Sequence, residues 1–203
     1  MTAKLVATLS LVAALGLSAN AFAAGSVEAG QAKSATCMAC HGMDGNSLSP
    51  EWPNLASQHA VYIERQLKAF KAGERKNDLM SPMAMILTEE DMADLAAYFS
   101  SQQVRGGEAD PAKLALGQRV YRSGNVARGV MACAGCHGPT GLGNPLAGYA
   151  LIQGQHSVYV ANQLRAYKAG TRTTDQNQMM RNMAAQLSDE EIEAVASFVQ
   201  GLR

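Results

Sequence analysis

Cys37-Met38-Ala39-Cys40-His41 and Cys133-Ala134-Gly135-Cys136-His137 are the two stretches that decide how this chain is built. Each has the form C-x-x-C-H, and their four cysteines are the only ones in the 203 residues. This is the spacing of covalent c-type haem attachment. Two thiols, two residues apart at a turn of helix, match the separation of the two vinyl groups of one porphyrin and add to them as thioethers. The histidine that follows is then held beneath the ring, where its imidazole can ligate the iron. Three other readings fit less well. A thioredoxin-like redox pair would sit near a βαβ pattern, and no such strand alternation occurs here. A zinc site built from the two pairs leaves the histidine after each pair unexplained. A disulfide within either motif would close a very small loop and stabilise little. The expected cofactors are two covalently bound haem c groups.

Outward from the motifs, the chain repeats itself. Gly30-Gln31 matches Gly117-Gln118, and Gln58-His59 matches Gln155-His156. Tyr62, Gln66, Leu67, Lys71, Gly73 and Arg75 match Tyr159, Gln163, Leu164, Lys168, Gly170 and Arg172. Met80, Met83, Ala84 and Leu87 match Met180, Met183, Ala184 and Leu187, while Ser123 to Met131 has no counterpart in the first half. Each half predicts a short helix carrying into the haem motif, then a loop rich in Gly, Pro and Asn. An amphipathic helix follows, opened by Ser57 or Ser157 as N-cap and closed near Gly73 or Gly170. A methionine-bearing loop then leads to a last helix that starts at Thr88 or Ser188. Ser188 to Glu191 is a capping box, and Thr88 to Asp91 approximates one. Leu95, Tyr98 and Phe99 form the inward face of that helix in the first copy, and Ile192, Val195, Phe198 and Val199 in the second. With no alternating strand pattern, the expected fold is all-α with two domains. The expected divisions are 24–105 and 114–203, joined by a linker at 106–113 where Gly, charge and Pro cluster. Domains of this size build only a modest core of their own, so the chain without haem is expected to fold poorly.

The N-terminus reads as a secretory signal peptide over residues 1–23. Lys4 is followed by the uncharged apolar run Leu5 to Leu17, and then by Ala21-Phe22-Ala23 as the cleavage pattern. Thirteen apolar residues fall short of the roughly 20 that span a bilayer. The mature chain is therefore expected to begin at Ala24, in the periplasm. Hydrophobic content of 47% and charged content of 17% fit a packed globular protein. The formal net charge of zero gives no case for a nucleic-acid partner. Charge is nevertheless uneven. Ala24 to Arg105 holds seven Lys/Arg against ten Asp/Glu, net −3, and Leu114 to Arg203 holds eight against five, net +3.

His41 and His137 fill one axial position on each iron, and the other position decides the chemistry. A methionine thioether gives a six-coordinate iron suited to electron transfer, whereas an open position favours oxygen or peroxide chemistry. A ligand in a duplicated chain must recur at equivalent positions. Of eleven methionines, the pairs Met80/Met180 and Met83/Met183 do so, and spacing alone does not separate them. His59 and His156 also recur, but they stand at the start of the amphipathic helix, where a surface or hydrogen-bonding role is expected.

From Ala24 to Arg203 the chain resembles the dihaem cytochrome c4 family, within the class I cytochromes c. The likeness rests on G-Q before each haem motif, both C-x-x-C-H units and the Q-H-x-x-Y-x-x-x-Q-L helices. It rests also on L-T-E-E-D-M-A-D-L-A-A-Y-F-S-S-Q closing the first half and S-D-E-E-I-E-A closing the second. The stretch between Gly73 and Met80 is shorter than in some relatives. The resemblance implies Met80 and Met180 as the second axial ligands. It implies two tandem cytochrome c-type domains related by pseudo-twofold symmetry, with haem propionates facing each other across the interface. It also implies an electron carrier, not an enzyme, that accepts electrons from a bc1-type complex and donates to a terminal oxidase of the cbb3 type, with peripheral association at the inner membrane. An electron-transfer subunit of a flavocytochrome-type dehydrogenase is the alternative.

Overall fold

Ser26 opens the first helix by accepting a hydrogen bond from the Ala29 amide, and the helix, α1 (Val27–Lys33), runs as far as Ser34. There the rod breaks, and α2 (Ala35–His41) carries the first haem motif. Next come α3 (Ala60–Lys71), α4 (Met80–Met85) and α5 (Glu89–Ser101). The second half holds α6 (Pro111–Ser123), α7 (Ala134–His137), α8 (Ser157–Lys168), α9 (Met179–Gln186) and α10 (Asp189–Gln200). This is a computed structural model, and it describes residues 25–203; the expected signal segment, 1–23, lies outside the described residues. Among the described residues there are no strands, only isolated bridges at Asn125–Val130 and Asn144–Tyr149.

In each half the first and last helices cross at a glycine. A Cβ on Gly30 would lie 2.0 Å from the Asp94 carbonyl oxygen, and one on Gly117 would lie 2.2 Å from that of Ala194. Backbone packed this closely tolerates no side chain, which explains the glycine of each repeated Gly-Gln pair. Two separate hydrophobic cores grow around these crossings. One gathers Ile63, Leu95, Ala96, Tyr98 and Phe99. The other gathers Tyr121, Ile192, Val195, Phe198 and Val199 among others. Every residue expected on the inward face of the last helices is buried. Both last helices open on full capping boxes, with Asp91 closing the first and Glu191 the second.

Three details depart from the sequence reading. The amphipathic helices begin after His59 and His156, whose extended ψ places them at the N-cap without a side-chain cap; Ser157 is already helical. Ser57 instead takes a positive φ of 60° and donates its hydroxyl to the Gln102 carbonyl. The methionine segments are the short helices α4 and α9, because Asn77 Oδ1 in the first copy and Asp175 Oδ2 in the second accept from backbone amides at their starts. In the second copy the first helix does not carry into the motif. A hairpin-like turn, Asn125–Val130, and a 3-10 turn at Val126–Arg128 fill the inserted segment between α6 and α7.

The connection between the halves is docked. Gln200 Nε2 donates to the Glu108 carbonyl, the Asp110 amide donates to Ser197 Oγ, and Asp110 then caps α6 with Pro111 at its first position. The halves contact one another reciprocally. His59 Nε2 bonds the Leu142 carbonyl at 2.8 Å, and His156 Nε2 bonds the Ser47 carbonyl at 2.9 Å. This reciprocity is what a pseudo-twofold relation between the domains requires.

Candidate haem centres

Each haem motif ends on a histidine followed by a glycine. Gly42 and Gly138 adopt φ of 82° and 78°, which stops the helix and turns the chain back beneath the histidine. The returning loop supplies a carbonyl to each imidazole: His41 Nδ1 bonds Pro53 O, and His137 Nδ1 bonds Ala150 O, both at 2.9 Å. With Nδ1 committed to a carbonyl, Nε2 is the ring nitrogen left to face a candidate ligand on the cavity side. Burial pushes both imidazoles below their ordinary pKa, and the carbonyl bonds only partly oppose it. Cys37 and Cys133 pack against the hydrophobic core of their own domain. Cys40 is exposed, and no two of the four cysteines are joined as a disulfide.

One continuous cavity of about 1780 Å³ runs through both domains. Cys37, Cys40, His41 and Met80 line one end, and Cys133, Cys136, His137 and Met180 line the other. Met83 and Met183 also line it, but Met83 is 44% exposed while Met80 is half-buried. His59 and His156 hold the other domain's loop carbonyls, the hydrogen-bonding role expected of them.

Where the two ends meet, the cavity wall is cationic. Arg75 is buried and donates to Gln66 Oε1 of its own domain at 2.8 Å, and to Tyr159 OH (2.9 Å) and Gln163 Oε1 (2.8 Å) of the other. Arg172 mirrors it, donating to Gln163 Oε1 (2.8 Å), Tyr62 OH (2.8 Å) and Gln66 Oε1 (3.0 Å). These acceptors are amide and phenol oxygens. Among the described residues neither guanidinium has a carboxylate partner, and Arg172 Nε is buried without any partner. Burial pushes the Tyr62 phenol up, but the guanidiniums of Arg172 and Arg75 outweigh it and bring the phenol below its ordinary pKa. Two buried, uncompensated cations call for an anion between them. The propionates of two porphyrins would meet that need, so the buried donors fit haem.

The role of this cluster was missed from sequence, although its members were visible as recurring polar residues. Recurrence of Arg, Tyr and Gln in both copies was the available signal.

Two attachment motifs, two crossed-helix domains and one shared cavity define a tandem c-type cytochrome. The sequence model of the cytochrome c family matches residues 27–103 and 114–203. The chain is 46% identical to cytochrome c4 of Pseudomonas aeruginosa, over 95% of this chain and 96% of that one. The crystal structure of reduced recombinant cytochrome c4 from Pseudomonas stutzeri covers 89% of this chain with all of its own, at 46% identity and a TM-score of 0.86. A thiosulfate dehydrogenase electron acceptor of Stutzerimonas stutzeri is 35% identical, over 80% of this chain and 76% of its own. The chain belongs to the cytochrome c4 family; it carries two covalently bound haem c groups and is a dihaem electron-transfer cytochrome.

Proposed function

We propose that this chain is a periplasmic carrier that takes electrons from a bc1-type complex and passes them to a terminal oxidase of the cbb3 type. Cys37 and Cys40 hold one haem, with His41 and Met80 as its axial ligands; Cys133 and Cys136 hold the other, with His137 and Met180. Each haem supplies a one-electron Fe(III)/Fe(II) couple when bound. The chain's own residues do the rest. The carbonyls of Pro53 and Ala150 orient the two imidazoles. Arg75 and Arg172, which meet on the wall of the one cavity, would hold the propionate carboxylates of the two haems. That shared interior is the observation that carries the reading, because a carrier with two joined sites can be loaded at one domain and unloaded at the other. With both axial positions filled by the protein, no coordination site is left for a substrate, which fits a carrier and not an enzyme.

The signal segment 1–23 accounts for export, and Edman sequencing of the secreted holoprotein is expected to begin at Ala24. Among the described residues no helix is long and apolar enough to cross a membrane, which suits peripheral attachment at the inner membrane. Stopped-flow mixing with purified bc1-type complex and cbb3-type oxidase tests the partners. Rapid reduction by the first and rapid oxidation by the second are expected, and failure of either exchange contradicts the placement.

A second reading has its own support. The 35% identical relative is an electron acceptor for thiosulfate dehydrogenase, so service to a periplasmic dehydrogenase, as a partner in the manner of a flavocytochrome subunit, is the alternative. A pull-down from periplasm that retains a dehydrogenase at one copy per chain favours it; recovery of the cytochrome alone favours the diffusing carrier.

A further inference from the structure

Gln58 and Gln155 recur in the two halves, yet they belong neither to the haem motifs nor to the cationic junction. Both are buried, at 7% and 6% exposure, and both reach into the opposite domain. Gln155 Oε1 accepts from the Asn54 amide at 2.8 Å, and its Nε2 donates to the Asn54 carbonyl at 2.9 Å. Gln58 does the same to Leu151: Oε1 accepts from the amide at 2.9 Å, and Nε2 donates to the carbonyl at 2.8 Å.

The position of those amides matters. The Asn54 amide belongs to the same peptide group as the Pro53 carbonyl, which accepts from His41 Nδ1 at 2.9 Å. The Leu151 amide belongs to the same peptide group as the Ala150 carbonyl, which accepts from His137 Nδ1 at 2.9 Å. Each domain thus contains a chain of three links: imidazole, one peptide group, and a glutamine from the other domain. Both chains are buried at the glutamine, where hydrogen bonds polarise one another.

We propose that Gln58 and Gln155 are positioning residues for electron transfer, each setting the electron density on the axial histidine of the domain it does not belong to. An oxygen accepting from the peptide N–H makes that peptide's carbonyl a stronger acceptor. A stronger carbonyl draws harder on Nδ1–H and gives the imidazole more imidazolate character, which favours ferric iron. Each reduction potential is then a property of the docked pair of domains. The inference rests on His41 and His137 as axial ligands, as assigned under the proposed function.

The test uses the holoprotein, with each potential followed by redox titration and assigned to its domain by haem-methyl proton resonances. Gln155→Leu is expected to raise the N-terminal potential, favouring the reduced state about threefold, which is ~28 mV for a one-electron couple, and to move the C-terminal potential much less. Gln58→Leu is expected to do the reverse. Gln155→Glu keeps an accepting oxygen and is expected to leave the N-terminal potential at or below native. His156→Ala cuts the neighbouring bond to the Ser47 carbonyl and serves as the control for a loosened interface, with the N-terminal potential expected at its native value. Shifts confined to the mutated domain, equal shifts in both haems, or a His156→Ala shift matching that of Gln155→Leu would overturn the inference. So would unmoved potentials with a native visible spectrum, while leaving the ligand assignment standing. The assignment itself fails if His41→Ala or His137→Ala retains two low-spin haems.

Discussion

At Gly30 and Gly117 a single methyl group has nowhere to go, because the nearest atoms are backbone carbonyl oxygens of the last helix. Gly30→Ala and Gly117→Ala should each destabilise the holoprotein by about 2–3 kcal/mol through forced separation of the crossed helices. Thermal unfolding checks this, and an unchanged Tm in either variant contradicts the packing. The two glycines were visible in the sequence only as half of a repeated Gly-Gln; their reason, a carbonyl 2.0–2.2 Å away, exists only once α1 meets α5 and α6 meets α10. The cysteines of the motifs were legible, because attachment chemistry works over five adjacent residues. Arg75, Arg172, Gln58 and Gln155 were legible as recurrences but not as roles, since their partners lie about a hundred positions away in the chain.

The elements followed their local signals where the signal was a hydrogen bond along the chain. Both capping boxes formed as read, and Thr88→Ala or Ser188→Ala is expected to cost about 1 kcal/mol, measurable by denaturant titration. Signals that depended on alignment were weaker: with Gln58-His59 matched to Gln155-His156, Ser57 is the counterpart of Gly154 and Ala60 that of Ser157, so Ser57 could not play the part of Ser157. The two first-to-last helix crossings also differ in charge. In the N-terminal domain Lys33 bonds Asp94 at 2.7 Å and Asp91 at 2.8 Å. Those bonds hold both carboxyls below their ordinary pKa. Carboxyls depressed in the folded state contribute stability above the ordinary carboxylate range, about pH 4, and that contribution fades as pH falls through the lower native values. Acid should therefore loosen the α1–α5 crossing, and Asp94→Asn should flatten the dependence of Tm on pH below about 4. The α6–α10 crossing has Lys113 with Glu193 instead, at 3.3 Å and more exposed, and should respond less.

Over the whole molecule, duplication is what made the fold readable: two weak helix patterns in register are stronger than one. The shared cavity was not readable, because it forms only when two domains face each other. The opposite net charges of the halves, −3 and +3, give the molecule a dipole. If that dipole steers different partners to different ends, oxidation and reduction rates should differ in their dependence on ionic strength, and identical salt slopes would contradict it. Two equivalent histidine–methionine sites are the central proposal, and the far-red Fe–S(Met) band of the oxidised holoprotein reports them directly. Its amplitude should correspond to two haems per chain, fall by half in Met80→Ala and in Met180→Ala, and stay whole in Met83→Ala and Met183→Ala. A full band in Met80→Ala or Met180→Ala, or its loss in either of the other two variants, would contradict the account.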